Sequence, residues 1–277
     1  MVETCICCGS NDIIATYASL LRCRQCGHFC ADVALTAEEM RALYSAAYFK
    51  GNEYSDYIGD KAVLQRNFRM RLKEIRRHSG TLTDKNLLEV GCAYGYFLEI
   101  AQSICKEAVG IDIAEDAIRL ARSELRVDAR CCDFCSVDLL SRPDIICFWD
   151  TIEHIRDPAS FVARAAELLP MGGYLFLTTG DVGSLNARLR REHWRLIHPP
   201  THLHYFSAKS ISELLSRSGF AVKEISHPGF YRSIGNTVAN LMRGGRKGLF
   251  VNKLSALDGS YYLNLFDIMF VAAKKIR

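Results

Sequence analysis

Three groups of residues in this 277-residue chain have types and spacings suited to chemistry. The first is a cysteine cluster. Cys5-Ile6-Cys7-Cys8-Gly9 and Cys23-Arg24-Gln25-Cys26-Gly27 each contain C-x-x-C-G, and fourteen residues separate Cys8 from Cys23. Two cysteines three apart can turn both thiolates toward one ion if the chain bends sharply, and a following glycine supplies the positive φ of such a bend. The pattern predicts a tetrahedral Zn2+ site with Cys5, Cys8, Cys23 and Cys26 as ligands. Cys7, His28 and Cys30 are competing donors, and reduced cysteines packed as small apolar groups are the alternative. Four thiolates leave no coordination site for a reactive water, so this zinc is structural. A segment of roughly forty residues buries little surface, and a metal would supply the missing folding energy.

The second group is a glycine turn followed by acids. An apolar segment at 87–90 ends in Gly91-Cys92-Ala93-Tyr94-Gly95, and Asp112 and Asp133 close the next two apolar segments. A dinucleotide fold needs G-x-G-x-x-G, which sets pyrophosphate against a helix N-terminus. Here the third glycine would fall at Tyr96, and no Walker lysine follows. What remains is a tight turn offering backbone contacts to a small zwitterionic or ribose-bearing ligand.

The third group is rich in imidazole. In Asp150-Thr151-Ile152-Glu153-His154, the spacing i, i+3, i+4 puts Asp150, Glu153 and His154 on one face of a helical turn. Such a face could hold a divalent ion; the reading favoured over it is a hydrogen-bonded network with His154 buried. In His198-Pro199-Pro200-Thr201-His202-Leu203-His204-Tyr205, alternation places His202 and His204 on one side of an extended segment. His202 and His204 are the leading base candidates, with His154 behind them, and Tyr57 and Tyr205 are candidates for shaping the substrate site.

Elements must position these groups. Thr36-Ala37-Glu38-Glu39 reads as a capping box. A long basic helix is expected over 60–78, its arginines spread around it as solvated surface. Strand and helix then alternate: strands at 87–90, 108–113, 127–132, 144–149, 173–179 and 220–226, helices at 96–105, 114–125, 158–169 and 208–218, the last capped by Ser207. This predicts an α/β fold with a doubly wound, Rossmann-like sheet and a small N-terminal zinc-binding segment, ligands lying beyond the carboxyl ends of the strands. The expected organisation is a zinc segment at 1–36, a helical linker or lid at 37–80, and a ligand-binding domain at 81–277 with rim insertions at 181–206 and 229–262. The second insertion reads as helical or loop-like. Rim arginines such as Arg188, Arg190, Arg191, Arg195, Arg243 and Arg246 would suit a phosphate-bearing substrate.

Composition sets limits. The chain is 49% hydrophobic and 24% charged, which excludes a disordered or coiled-coil chain. No apolar run approaches the roughly 20 residues needed to cross a bilayer. The opening Met-Val-Glu-Thr-Cys lacks the basic-then-apolar layout of a secretory leader, so a cytoplasmic enzyme is expected. A net charge of +4 is too weak a bias to demand a nucleic-acid partner or a membrane surface.

Leu88-Glu89-Val90-Gly91-Cys92-Ala93-Tyr94-Gly95-Tyr96-Phe97 resembles the first motif of the class I S-adenosylmethionine-dependent methyltransferases, with Ala93 in place of the middle glycine. That alanine is tolerable if its φ stays negative. The resemblance implies that Glu89, Gly91, Cys92 and Gly95 hold the methionine end of S-adenosylmethionine, that Asp112 and Ile113 meet the ribose, that Asp133 and Phe134 meet the adenine, and that Asp150 lines the same crevice. It also implies a seventh strand at 265–274, antiparallel at the sheet edge. The Asp150, Glu153, His154 set resembles the metal site of ubiquinone-pathway O-methyltransferases. The whole chain resembles bacterial small-molecule methyltransferases, including deoxysugar-nucleotide and surface-polysaccharide enzymes. The implied partner is a small-molecule methyl acceptor. An rRNA base methyltransferase with a zinc module, and a non-catalytic zinc-ribbon module on a degenerate core, are the alternatives. Oligomeric state and acceptor atom stay open.

Overall fold

The computed structural model describes residues 3–33, 39, 59–235, 237–238 and 259–277. The capping box at Thr36, the substrate candidate Tyr57, and Arg243 and Arg246 fall outside them, apart from Glu39. The chain begins with three short strands, β1 (Ile13–Ala15), β2 (Leu20–Cys23) and β3 (Phe29–Ala31). Helix α1 (Lys61–Ser79) follows, burying Phe68, Leu72 and Ile75 on one stripe and ending at Gly80, whose φ is 78°.

From there strand and helix alternate as predicted: β4 (Asn86–Val90), α2 (Tyr96–Ala101), β5 (Glu107–Asp112), α3 (Glu115–Leu125), β6 (Asp128–Cys131), β7 (Ile145–Trp149), α4 (Pro158–Leu168) and β8 (Tyr174–Gly180). After β8 come α5 (Leu185–Arg190), β9 (His204–Tyr205), α6 (Ala208–Arg217), β10 (Phe220–Ser226), β11 (Phe230–Ser233), β12 (Ser260–Leu263) and β13 (Ile268–Lys275). Local chemistry starts these helices. The Asp157 side chain accepts from Ser160 N with Pro158 in the first turn of α4, and Ser207 caps α6 by accepting from Ser210 N.

Seven strands form the main sheet in the order β10-β13-β8-β7-β4-β5-β6. Only β13 runs antiparallel to its neighbours, and it lies one place in from the edge, which β10 occupies. Residues of β7 alternate between two cores. Ile146 and Phe148 join Val162 and Leu214 of α4 and α6, whereas Ile145, Cys147 and Trp149 join Phe68, Phe97 and Ala117 of α1, α2 and α3. That alternation, apolar on both faces, is what a sheet covered by helices on both sides requires. The chain leaves β4 for β5 on one side and returns to β7 on the other, so the topological switch point opens beyond Val90 and Trp149.

Three features depart from expectation. The antiparallel strand β13, expected at the sheet edge, lies between β10 and β8. Helix α2 stops at Ala101 rather than at 105. The insertion expected to be helical or loop-like has strands at both ends, β11 pairing antiparallel with β12. The small sheet also reaches across the sequence: its order is β1-β2-β3-β9, so the strand carrying His204 completes the cysteine-rich segment. No helix among the described residues is long and apolar enough to cross a membrane.

Candidate functional site

At the end of β4 the turn is built on left-handed residues. Gly91, Ala93 and Gly95 have φ of 77°, 45° and 75°. A Cβ on Gly91 would lie 2.6 Å from Thr151 Cγ2, so the tight approach of the two strand ends requires glycine there. Ala93 departs from the expectation of a negative φ: the turn keeps a glycine-like conformation and carries a methyl group in it. Asp112, at the end of β5, binds the turn. Its Oδ2 accepts from Ala93 N at 2.8 Å and its Oδ1 from Ala114 N at 2.9 Å. Burial raises its pKa, and the backbone amides oppose that rise. Each carboxylate oxygen keeps a further lone pair for a ligand hydroxyl. The adjoining Ile113 is 52% exposed, an apolar surface beside this acid. Asp133 Oδ1 accepts from Cys135 N, while the Phe134 ring is turned inward, 5.7 Å from Phe148. Tyr94 and Tyr96 are buried in the core on the α1 side, with ring centres 6.1 Å apart.

A cleft of about 390 Å³ lies beyond the switch point, walled by α1, the ends of β4 and β7, the loop 195–202 and the β11 strand. Glu89 lines it. This carboxyl is buried, its Oε2 has no hydrogen-bond partner among the described residues, and desolvation holds its pKa well above the usual range. Trp149 Nε1 and Glu153 Oε2, both on the same cleft, are likewise without partners. Buried polar atoms are rarely left this way, so their gathering at one opening marks a place where a ligand's polar groups belong. Arg71 is the cation that α1 contributes to the cleft. Its Nη2 donates to Asp150 Oδ2 at 2.7 Å, and its Cζ lies 5.0 Å from the Trp149 ring centre. Expected as solvated surface, Arg71 is instead part of the site; it sits three residues after Phe68 and four before Ile75, on the buried stripe of α1.

Beside Glu89 stands an imidazole cluster. Glu153, His154 and His202 each offer a ligand atom, and these lie within 4.8 Å of one another. Asp150, grouped with Glu153 and His154 by sequence spacing, pairs with Arg71 instead, and His202 takes the third position. His154 Nδ1 donates to Thr201 O at 2.8 Å and His202 Nδ1 to Leu196 O at 3.0 Å, which leaves each Nε2 as the basic nitrogen. Desolvation lowers the His154 pKa to about 4 and drives that of His202 well below its usual value. Desolvation, reinforced by Asp150, raises Glu153 to about 8.

His204 and Tyr205 point elsewhere. His204 Nε2 donates to Arg156 O, and its Nδ1 meets His28 Nε2 at 3.1 Å. The Tyr205 hydroxyl donates to His202 O at 3.0 Å. Neither lines the cleft; Tyr205 fixes the backbone of the histidine that does.

The cysteine cluster fits a metal. Cys5 Sγ lies 3.5 Å from Cys26 Sγ, and Cys8 Sγ 3.6 Å from Cys23 Sγ, with all four sulfurs within 4.8 Å. A tetrahedron with Zn–S bonds of ~2.3 Å has S–S edges of ~3.8 Å. Each knuckle closes as expected, Gly9 N donating to Cys5 O and Gly27 N to Cys23 O, both glycines at φ of 76°. His28 is engaged with His204 rather than with this cluster.

A methyltransferase-domain family model matches residues 64–225. The ubiquinone biosynthesis O-methyltransferase of Bordetella bronchiseptica is 32% identical over 117 residues, covering 40% of this chain and 48% of its own. The chain thus spans about half the length of the curated relatives it matches. Among solved structures, the magnesium protoporphyrin IX methyltransferase of Synechocystis, with bound S-adenosylhomocysteine, superposes with a TM-score of 0.57 at 13% identity, covering 87% of this chain and 100% of that one. A methyltransferase from Thermotoga maritima described as a possible histamine N-methyltransferase gives 0.55 at 17% identity, covering 86% and 100%. At such identities the likeness is one of fold.

Proposed function

From the premise that the chain belongs to the class I S-adenosylmethionine-dependent methyltransferase family, we propose that it transfers a methyl group from S-adenosylmethionine to a small molecule held in the cleft. The observation that carries this reading is the buried Glu89 carboxyl, whose Oε2 has no hydrogen-bond partner among the described residues and which lines the cleft one strand away from Asp112. A carboxylate so placed suits an ammonium group, and Asp112 suits a cis-diol. In this reading Glu89, Gly91, Cys92 and Gly95 hold the methionine end, Asp112 and Ile113 the ribose, and Asp133 and Phe134 the adenine, with Asp150 lining the crevice through its pairing with Arg71.

The cofactor supplies an electrophilic methyl on a sulfonium. The chain supplies alignment, exclusion of water and a proton acceptor. Of the candidate bases, His202 and His154 line the cleft, so these take the acceptor's proton, with Glu153 beside them held neutral by burial; His204 serves by position. A hydroxyl acceptor is supported by the O-methyltransferase relatives, and the finer class proposed is a sugar-nucleotide or surface-polysaccharide precursor, supported by Arg195 and Arg232 on the cleft.

A second reading of the same corner rests on the convergent donors of Glu153, His154 and His202. Two imidazole nitrogens and a carboxylate fit a divalent cation, which would acidify a bound hydroxyl. The Cys5, Cys8, Cys23, Cys26 site is proposed to hold a structural Zn2+, and reduced thiolates fit a cytoplasmic location.

The test is label transfer. Purified protein with isotopically labelled methyl donor should methylate a component of fractionated metabolite pools, and Asp112→Ala should lose at least roughly tenfold in S-adenosylhomocysteine affinity by calorimetry, as expected when hydrogen bonds to a charged acceptor are removed. Unchanged affinity in that variant would overturn the cofactor assignment.

A further inference from the structure

At the mouth of the cleft, two guanidiniums share one aromatic ring. Arg195 Cζ lies 5.9 Å and Arg232 Cζ 4.8 Å from the centre of Phe230, and all three line the cleft. Arg195 is committed: its Nη2 donates to Asp267 Oδ1 at 2.9 Å. The other oxygen of Asp267 accepts from Trp194 Nε1 and Asn186 Nδ2, so this buried acid is engaged by three donors, none of them Arg232. Among the described residues Arg232 has no ion pair and its buried Nε has no hydrogen-bond partner. Burial, and the charge of Arg195, push its pKa down. A half-buried guanidinium beside a second cation is unfavourable on its own terms and becomes favourable when an anion completes it.

We propose that Arg232, with Arg195 behind it, is the binding site for an oxyanion, a phosphate or carboxylate group carried by the methyl acceptor. A guanidinium presents a planar fork that takes such a group through two parallel hydrogen bonds. The Phe230 ring, close to both cations, gives the subsite an apolar wall, which suits an acceptor whose charged group adjoins an aromatic or sugar ring. This deepens the acceptor-cleft reading given above and rests on it. The position is Arg232 rather than Arg195 because replacing Arg195 would strand the buried Asp267.

The experiment is calorimetric titration of the full chain, with and without saturating S-adenosylhomocysteine. Inorganic pyrophosphate serves as the probe for a phosphate-bearing acceptor and 4-hydroxybenzoate for a carboxylate-bearing one. One probe should bind at a single site, and Arg232→Met should weaken it by roughly tenfold or more, the expected loss for hydrogen bonds between charged partners. Arg232→Lys, which keeps the charge and folds if the loss were merely structural, should retain part of that affinity. S-adenosylhomocysteine binding should be the same in all three proteins. The proposal is overturned if neither probe binds the wild type at millimolar concentration, if Arg232→Met binds both as well as the wild type does, or if that variant loses S-adenosylhomocysteine instead. Failure of the wild type to bind S-adenosylhomocysteine counts against the cofactor reading, and the titrations without it still decide the anion site.

Discussion

Ala93 carries a Cβ at φ 45°, in the middle of a turn whose other two bends are glycines. A left-handed conformation costs a residue with a side chain roughly 1–2 kcal/mol. Glycine's extra freedom in the unfolded chain offsets about 0.5–1 of that. Ala93→Gly should therefore stabilise the protein by roughly 0.5–1 kcal/mol, read as a higher urea midpoint at unchanged slope; a lower midpoint would show that the alanine is not strained. The turn and its acids were legible because strand length and glycine spacing are local properties. The sign of one dihedral was not, since alanine is compatible with either basin and the choice is made by Asp112 accepting from the Ala93 amide. Arg71 was legible in principle, as a cation set inside an apolar stripe, but stripe position alone does not distinguish a covered guanidinium from one that lies along the helix edge into water.

At the scale of elements, the cysteine segment and the strand that follows the 195–202 loop form one sheet. Residues of β3 pair with β9, Phe29 opposite Tyr205 and Cys30 opposite His204, and Ala31 N donates to Leu203 O at 2.8 Å. Ser207 Oγ donates to Cys26 O, and His28 meets His204. The loop that presents His202 is thereby anchored to the knuckles on one side, while Leu203 N donates to Glu153 O on the other. Cys23→Ser combined with Cys26→Ser should release bound zinc and also speed amide exchange at Leu203, Tyr205 and Phe206, while amides of β4 and β7 stay protected. Elemental analysis checks the first outcome and hydrogen exchange the second; full metal retention would mean that the ligands are others, and unchanged exchange with metal lost would mean that the sheet holds without it. Each knuckle could be read locally. Its partner strand could not, because a two-residue strand 176 positions away leaves no period to detect, and the same is true of β11 and β12, whose pairing creates the Arg232 wall.

For the whole molecule, burial of the site's titratable groups sets the pH at which the fold is most stable. Desolvation depresses His28, His154, His198, His202 and His204 below the ordinary histidine value of 6.5, so each is neutral in the folded chain where the unfolded chain takes up a proton. Their contribution is present above pH 6.5 and is lost as pH falls toward the folded values of about 3 to 4 that burial gives His28, His154 and His204. Glu89, Asp112 and Glu153 act in the opposite sense: burial raises them, Glu153 to about 8 from 4.5, so the folded chain keeps protons that the unfolded chain releases. Their contribution is present below the unfolded carboxyl values and is lost as pH rises through the folded ones. Between about pH 4.5 and 6.5 the histidines outnumber the carboxyls and stability rises with pH. Above 6.5 only the carboxyls remain in play, and stability falls toward pH 8. Urea midpoints measured across pH 5–8.5 without added divalent cation should pass through a maximum near 6.5, and a midpoint that climbs steadily to pH 8 would contradict the burial of Glu153 as a neutral acid. S-adenosylhomocysteine should flatten the alkaline limb, because an ammonium set against Glu89 lets that carboxyl ionise in the folded state. The change in that slope on adding S-adenosylhomocysteine, rather than the slope itself, which Glu153 and Asp112 share, then reports ligand contact at Glu89 without knowledge of the methyl acceptor.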